Sequence, residues 1–201
     1  MNAVPHHVLR YGKALVFLLL SLPALQLVGR TWLGKLGVNP VETLTYATGL
    51  WSLRILLLCL LMTPLQRLFR WIWPIRLRRM LGLFAFFYAC LHFSVYLVFD
   101  QFFDWRSIAR DIVKRPYITV GFVAFVLLIP LVVTSTQGWI QALGPHWKRL
   151  HRSIYVIASL AVLHFIWKTK ADLREPLIYL ALLGVLLALR LPAPRLLLRR
   201  T

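Results

Sequence analysis

The sequence predicts an all-α, polytopic membrane protein, a bundle of six transmembrane helices with both termini in the cytoplasm. Three observations lead to this fold class. The 201-residue chain is 60% hydrophobic, with a mean hydropathy of +0.72, well above the values of soluble domains. Its apolar residues gather in six windows close to membrane length. Its basic residues gather between those windows.

Each apolar window is bounded by charged or turn residues, which predicts six separate helices within one domain, residues 1–201. The first and last windows are short for a span of about 20 residues, so we expect them to tilt little or to lie at the rim. Pro23 falls inside the first window, where a kink is tolerated if neighbours satisfy the freed backbone groups. The windows cover residues 11–28, 44–63, 80–99, 117–134, 150–167 and 176–191.

The basic residues predict the orientation. The net charge is +18, from 24 Lys and Arg against 6 Asp and Glu. With the N-terminus inside, the cytoplasmic segments carry fourteen cations and no acid, whereas the outer loops hold nine cations and all six acids. The positive-inside rule therefore places both termini in the cytoplasm. Membrane topology explains this charge, so we expect lipid and not nucleic acid around the chain.

Two histidines inside the windows point to metal chemistry. His92 in the third window and His164 in the fifth each lie about 13 residues after the helix begins. The third and fifth helices run in the same direction, so both rings are expected at one depth, toward the outer side. Two facing neutral imidazoles can ligate one haem iron. We predict His92 and His164 as metal ligands; the alternative is histidines hydrogen-bonded within the bundle.

A second, inner pair is incomplete. His151 precedes His164 by 13 residues, about 20 Å along a helix axis, and Arg78 is expected opposite it. Arginine is a poor metal ligand but suits a haem propionate. Two interpretations stay open for His151: it ligates a second haem, or it anchors a propionate, a quinone or a flavin, with Arg78 binding the same cofactor. On one straight helix the rings of His151 and His164 would point about 140° apart.

Arg54, in the middle of the second window, costs about 3 kcal/mol to insert into a membrane. The windows contain no acid to pair with it, so we predict that it binds a haem propionate or another anionic cofactor. The alternative is that Arg54 reaches a water-filled cavity. The longest outer segment, residues 100–116, mixes charges and aromatic residues. It is predicted either as a helix on the membrane surface or as a docking surface for a partner.

The segments RRMLGLFAFFYACLHF, RPYITVG, LVVTSTQGW and WKRLHRSIYVIASLAVLHFIWK together resemble the MsrQ family, also known as YedZ. Its members are haem-bearing membrane subunits of a bacterial periplasmic methionine sulfoxide reductase system. The family is similar to the transmembrane domains of ferric reductases and NADPH oxidases, which carry two histidine pairs on two helices. His151 and His164 match one pair, His92 matches the outer member of the other, and Arg78 stands where its inner histidine would be.

This resemblance implies an electron conduit in the bacterial inner membrane. Electrons would come from a quinol or a flavin reductase on the cytoplasmic side and pass through one haem b or two. Their acceptor would be a periplasmic molybdopterin enzyme like MsrP, which reduces methionine sulfoxide in proteins. FMN is associated with the family, but no residue of this sequence marks its site. The alternatives are a proton or anion transporter that uses the intramembrane His and Arg residues, and an anchor that merely docks a periplasmic enzyme.

Overall fold

The computed structural model describes residues 6–71, 73–169 and 171–190, with side chains from residue 11 onward, and over these ranges the protein is all-helical. The predicted all-α class is therefore confirmed. A π-helical turn, Tyr96–Asp100, continues the third helix. The α-helices within the described ranges are α1 (His6–Trp32), α2 (Pro40–Phe69), α3 (Trp73–Val95), α4 (Trp105–Lys114), α5 (Pro116–Val133), α6 (Gln137–Leu143), α7 (Pro145–His151), α8 (Ile154–Lys168) and α9 (Arg174–Ala188).

Five helical segments in the described part of the chain are long and apolar enough to cross a membrane, which indicates a multi-pass membrane protein. The sixth predicted window corresponds to α9, a helix of 15 residues that is shorter than a usual span. Residue 191, the end of that window, lies outside the described residues. The count of six spans and the orientation of the termini stay predictions. The five segments are Tyr11–Trp32, Pro40–Phe69, Trp73–Asp100, Pro116–Val133 and Pro145–Lys168.

Local sequence signals set several helix boundaries. Asn39 caps α2, since its side chain accepts a hydrogen bond from the backbone N–H of Glu42 at 3.2 Å. Pro40 then occupies the first helical position, where a missing N–H is tolerated. Asp104 caps α4 by accepting from the N–H groups of Arg106 and Ser107. These caps begin helices at the bundle ends, where backbone donors would otherwise lack partners.

The fifth window differs from its prediction as one helix over residues 150–167. The structure divides it into α7 and α8 at Arg152 and Ser153, where the N–H groups of Arg152, Ser153 and Tyr155 each bond to a carbonyl three residues back instead of four. Residues in such a tighter turn rotate by about 120° each, compared with about 100° in an α-helix. The straight helix on which the angle of about 140° between His151 and His164 was calculated is therefore not formed.

Two helix pairs form the core. α2 packs most extensively on α3, and α5 packs on α8, while α9 lies against α2 and α8. Side chains without exposed surface mark the centre, among them Ile55 of α2, Ala85 of α3 and Ile157 of α8. Large apolar side chains on α1 and on the outward face of α9 are exposed, which suits contact with lipid tails. This arrangement leaves the space between the two pairs for a site.

Tyr88 of α3 joins the peripheral α1 to the core. Its hydroxyl donates to the carbonyl of Leu20 at 2.7 Å and accepts from the N–H of Ala24 at 3.0 Å. In a regular helix these two backbone groups would bond to each other. The insertion lies beside Pro23, which disturbs the preceding turn of α1. As expected for a membrane helix that contains proline, a neighbouring side chain satisfies the freed groups.

Replacing Tyr88 by phenylalanine should destabilise the protein by about 2 kcal/mol, because a carbonyl and an amide then lose their partner in apolar surroundings. Thermal unfolding in detergent, followed by circular dichroism, should show a lower midpoint. Tyr11→Phe is the matched control, since the Tyr11 side chain is 74% exposed, and its midpoint should equal that of the wild type. Equal midpoints for both variants would show that α1 closes its backbone ladder unaided.

The outer segment 100–116 contains α4, a short helix that packs on the bundle through the buried side chains of Ile108 and Asp111. Asp111 forms an ion pair with Arg115 at 3.1 Å. The preceding turn exposes Phe102, at a positive φ of 47°. The interpretation of this segment as a surface helix fits these contacts, and its use as a docking surface stays a prediction.

Candidate functional site

α3 and α8 bring His92 and His164 to the wall of one cavity of about 380 Å³. The two ring centroids lie 6.1 Å apart, and the ring planes cross at 80°. An imidazole nitrogen bonds a metal at about 2 Å, so two imidazoles on opposite sides of one metal have centroids about 6 Å apart. The observed spacing therefore suits two axial ligands of a single metal ion.

Each of these rings is held by a backbone carbonyl of a neighbouring helix. The Nδ1 of His92 lies 2.8 Å from the carbonyl oxygen of Thr45 in α2, and the Nδ1 of His164 lies 2.6 Å from that of Tyr117 in α5. A carbonyl only accepts, so both Nδ1 atoms carry the proton and donate. Each Nε2 is then left with its lone pair, which is the usual state of a metal-bound histidine.

The cavity lining is mostly apolar, and its charged members are one acid and two cations. The walls include Leu53, Phe125 and Leu128, and the charged lining residues are Asp100, Arg115 and Lys168. The Lys168 ammonium also lies 5.9 Å from the centre of the Tyr46 ring, which is a cation–π distance. An apolar lining with two basic side chains against one acidic side chain suits a flat ligand that has an apolar body and anionic substituents.

The residues fit a haem better than a bare metal ion. Within the described residues, no group of three or more His, Cys, Asp or Glu side chains is placed to hold a metal. Two imidazoles alone give a metal ion only two ligands, so a macrocycle would have to supply the others. A haem brings four nitrogens in its plane and leaves two axial positions. His92 and His164 are placed to fill both.

His151 has different surroundings from the other two histidines. Its Nε2 lies 3.1 Å from the Thr134 hydroxyl, whose own proton goes to a backbone carbonyl at 2.6 Å. The hydroxyl therefore accepts from His151, and the lone pair of this ring lies on Nδ1. The ring stacks on Trp147, with centroids 4.0 Å apart. Among the described residues, His151 is not part of the cavity wall, and its role as an inner metal ligand stays a prediction.

Arg78 lies in α3, the helix that also carries His92, and its predicted position opposite His151 stays a prediction. The backbone carbonyl of Arg78 accepts a weak hydrogen bond from the Cys59 thiol, with 3.4 Å between sulfur and oxygen. This contact is one of those between α2 and α3. Cofactor binding by Arg78 stays a prediction.

The expectation that Arg54 has no acidic partner was wrong. One of its terminal guanidinium nitrogens lies 3.9 Å from Glu175, and its Nε donates to the Tyr179 hydroxyl at 2.8 Å. Both partners belong to α9, which begins before the predicted window 176–191 and so includes an acid in its first turn, where the helix dipole favours one. In the described part of the chain Arg54 does not line the cavity, so the prediction that it binds a cofactor rests on its position in the second span alone.

Two kinds of site residue were missed from sequence. The carbonyls of Thr45 and Tyr117 carry no sequence signal, because every residue has one. Lys168 and Arg115 were counted only as outer-loop cations. Lys168 follows His164 by four residues at the outer end of its span, and Arg115 lies at the outer end of the preceding span. Their positions could have been recognised as suitable for an anionic ligand near His164. Their position at the cavity becomes visible only when the helices are packed.

Comparison with known proteins shows the family of this chain. The family described as ferric reductase like transmembrane component matches residues 48–162, a range that includes His92 and His151 and ends two residues before His164. A relative from Herminiimonas arsenicoxydans is 52% identical over 181 residues, covering 89% of this chain and 83% of that protein. A relative from Rhodospirillum rubrum is 52% identical over 188 residues, covering 92% and 90%.

A third relative, from Azospira oryzae, is 49% identical over 180 residues and covers 89% of this chain and 77% of that protein. All three are named protein-methionine-sulfoxide reductase heme-binding subunit MsrQ. The similarity extends over nearly the whole chain, which confirms the resemblance drawn from the sequence segments. This chain therefore belongs to the MsrQ family of ferric reductase-like transmembrane proteins.

Proposed function

We propose that this protein is the electron-transfer subunit of a methionine sulfoxide reductase system and binds haem b through His92 and His164. The observation that carries the proposal is the pair of imidazoles 6.1 Å apart, each with Nδ1 tied to a backbone carbonyl. The relatives are named as heme-binding subunits of such a reductase. When bound, haem supplies one-electron chemistry through its ferric and ferrous states.

The protein's own residues hold and insulate the cofactor. The Nε2 atoms of His92 and His164 would hold the haem iron. The carbonyls of Thr45 and Tyr117, by accepting the Nδ1 protons, would raise the basicity of both rings. Walls such as Leu53, Phe125 and Leu128 exclude water from the macrocycle, which tunes the potential through the local dielectric constant. The protein thus acts as a conduit, and the sulfoxide chemistry belongs to its partner.

Arg115 and Lys168 are the residues that we propose as partners of the haem propionates. If this is correct, Lys168→Gln should lower the haem midpoint potential by tens of millivolts, because loss of a cation favours the more positive ferric state. A unit charge about 10 Å away at an effective dielectric constant of about 20 contributes about 1 to 2 kcal/mol. Redox titration of the purified protein measures the shift. The control is Lys148→Gln, because Lys148 is an exposed residue of α7 that does not line the cavity. A haem midpoint potential in Lys168→Gln equal to that of Lys148→Gln would contradict the assignment.

We further propose a second carrier at the inner end, held by His151 and Arg78. The hydrocarbon core of a membrane is about 30 Å thick, so one haem near one face leaves part of that thickness uncrossed. His151 lies on α7 and His164 near the end of α8, which separates the two sites along the span. A haem, a quinone or FMN would each accept one electron at a time there.

The direction of transfer follows from the predicted topology. We propose that the protein resides in the bacterial inner membrane, where a quinol or a flavin reductase donates electrons on the cytoplasmic side. The acceptor is a periplasmic molybdopterin reductase like MsrP, which repairs oxidised methionine in periplasmic proteins. The name of the relatives, which couples heme binding to protein-methionine-sulfoxide reductase, supports this acceptor.

A dithionite-reduced minus oxidised absorption spectrum of the purified membrane protein tests the proposal. We expect a Soret band and sharp bands of a low-spin haem with two imidazole ligands, and iron bound to the protein. Mixing the reduced protein with a purified periplasmic reductase and methionine sulfoxide should reoxidise the haem. Protein without a Soret band or iron would overturn the proposal. Solute flux in liposomes by colourless protein would favour transport by intramembrane His and Arg residues.

A further inference from the structure

Gly49 of α2 and Gly121 of α5 lie where the two histidine rings approach these helices. A Cβ atom added at Gly49 would lie 2.9 Å from Nδ1 and 3.0 Å from Cε1 of His92. A Cβ atom added at Gly121 would lie 2.6 Å and 2.9 Å from the same atoms of His164. Optimal contact between such atoms is about 3.5 to 4 Å, so any side chain here would push each ring away.

The reason is the position of the carbonyl that each ring uses. Thr45 and Tyr117 precede Gly49 and Gly121 by one helical turn. In a helix each Cβ points back toward the N-terminus and covers the turn before its own residue. A side chain at either glycine would therefore cover the carbonyl oxygen that Nδ1 must reach. Glycine leaves that oxygen open from the side while the helix continues.

Other helical glycines of the chain show that this crowding is specific. Gly29 of α1, Gly82 of α3 and Gly184 of α9 have no side chain or neighbouring helix within 4 Å of an added Cβ. The two crowded glycines also occupy equivalent places in the two helix pairs, because each accepting carbonyl lies 47 residues before its histidine. The molecule thus uses the same local arrangement twice, once for each ring.

We propose that Gly49 and Gly121 are positioning residues for the axial histidines, each opening one helix carbonyl to a histidine Nδ1–H. The opened carbonyl fixes the tautomer that presents Nε2, and the absence of a Cβ fixes the rotation of the ring, here 80° between the two planes. A donated Nδ1 proton also makes the imidazole a stronger electron donor to iron. This inference rests on the proposed haem site and adds the two residues that set its geometry and potential.

Gly49→Ala and Gly121→Ala test the inference, with Gly82→Ala as the matched control in a third helix. We expect both test variants to lose haem to apomyoglobin about 10- to 100-fold faster than the wild type, the range found when a ligand loses its outer hydrogen bond. Their ferric electron paramagnetic resonance spectra should change in anisotropy as the rings rotate, and their midpoint potentials should rise. Gly82→Ala should match the wild type in all three measurements. If Gly49→Ala and Gly121→Ala also match the wild type in all three measurements, the inference is overturned and the proposed haem site stands. If the wild-type protein itself has no Soret band, the haem site is overturned.

A second experiment decides the matter if the alanine variants retain no haem. His92→Gly leaves space for a free ligand, and imidazole and 1-methylimidazole differ in whether they can donate a proton to the Thr45 carbonyl. We expect imidazole to bind the haem of this variant about tenfold more tightly than 1-methylimidazole. Equal affinities would show that the carbonyl contributes nothing and would overturn the role of Gly49.

Discussion

Alanine in place of either His92 or His164 should lower the haem content of the purified protein by about tenfold or more. Each ring would supply one of the two bonds from the protein to the iron. Loss of a ligand weakens a metal site at least as much as loss of the hydrogen bond behind that ligand, which costs about 10- to 100-fold. The haem-to-protein ratio, measured as the pyridine haemochrome, reports the change. Size-exclusion chromatography of the same samples shows whether the bundle stays folded. Equal losses from the two variants are expected because the two rings have equivalent surroundings.

His146→Ala is the control for these variants. His146 is an exposed residue of α7 away from the cavity, so its loss should leave haem content and spectrum unchanged. His151→Ala should leave the haem between His92 and His164 in place and affect only the inner cofactor. Either alanine variant that keeps the wild-type ratio together with a spectrum of two imidazole ligands would refute the assignment of that histidine.

The pairing of His92 with His164 could be predicted because it depends on quantities that sequence contains. Two apolar windows of membrane length give helix direction and depth, and residues at equal depth on parallel helices can meet. A membrane restricts the direction and length of helices more than water does, because each spanning helix must cross a layer of fixed thickness. The all-helical class follows from the same restriction.

Features that depend on contacts between helices could not be predicted in this way. Arg54 was expected to lack an acid because a hydropathy window stops at the first charged residue, yet α9 extends past that point to include Glu175. The break at Arg152 and Ser153 has no proline or glycine to signal it. The equivalent carbonyl contacts of the two helix pairs involve backbone atoms, so the only letters that mark them are a glycine four residues after each carbonyl, Gly49 and Gly121.

Ala161→Trp should exclude the haem while leaving both histidines in place. Ala161 lies in α8, nearly one turn before His164, and its side chain lines the cavity. An indole there would occupy part of the cavity that a macrocycle would need. Because the new side chain enters an existing cavity, overpacking should be modest, about 1 to 3 kcal/mol, and the protein should fold. The expected result is a monodisperse protein without a Soret band.

Ala181→Trp provides the comparison, because Ala181 is exposed on α9 and an indole there would face lipid. That variant should bind haem as the wild type does. The histidine variants cannot distinguish histidines that ligate one iron from histidines that only hydrogen-bond within the bundle, and the two tryptophan variants can. Histidines that merely hydrogen-bond within the bundle would be unaffected by a filled cavity, whereas histidines that ligate one iron require the space between them. Wild-type haem content in Ala161→Trp would therefore place the haem elsewhere in the protein, even if both histidines proved necessary for binding it.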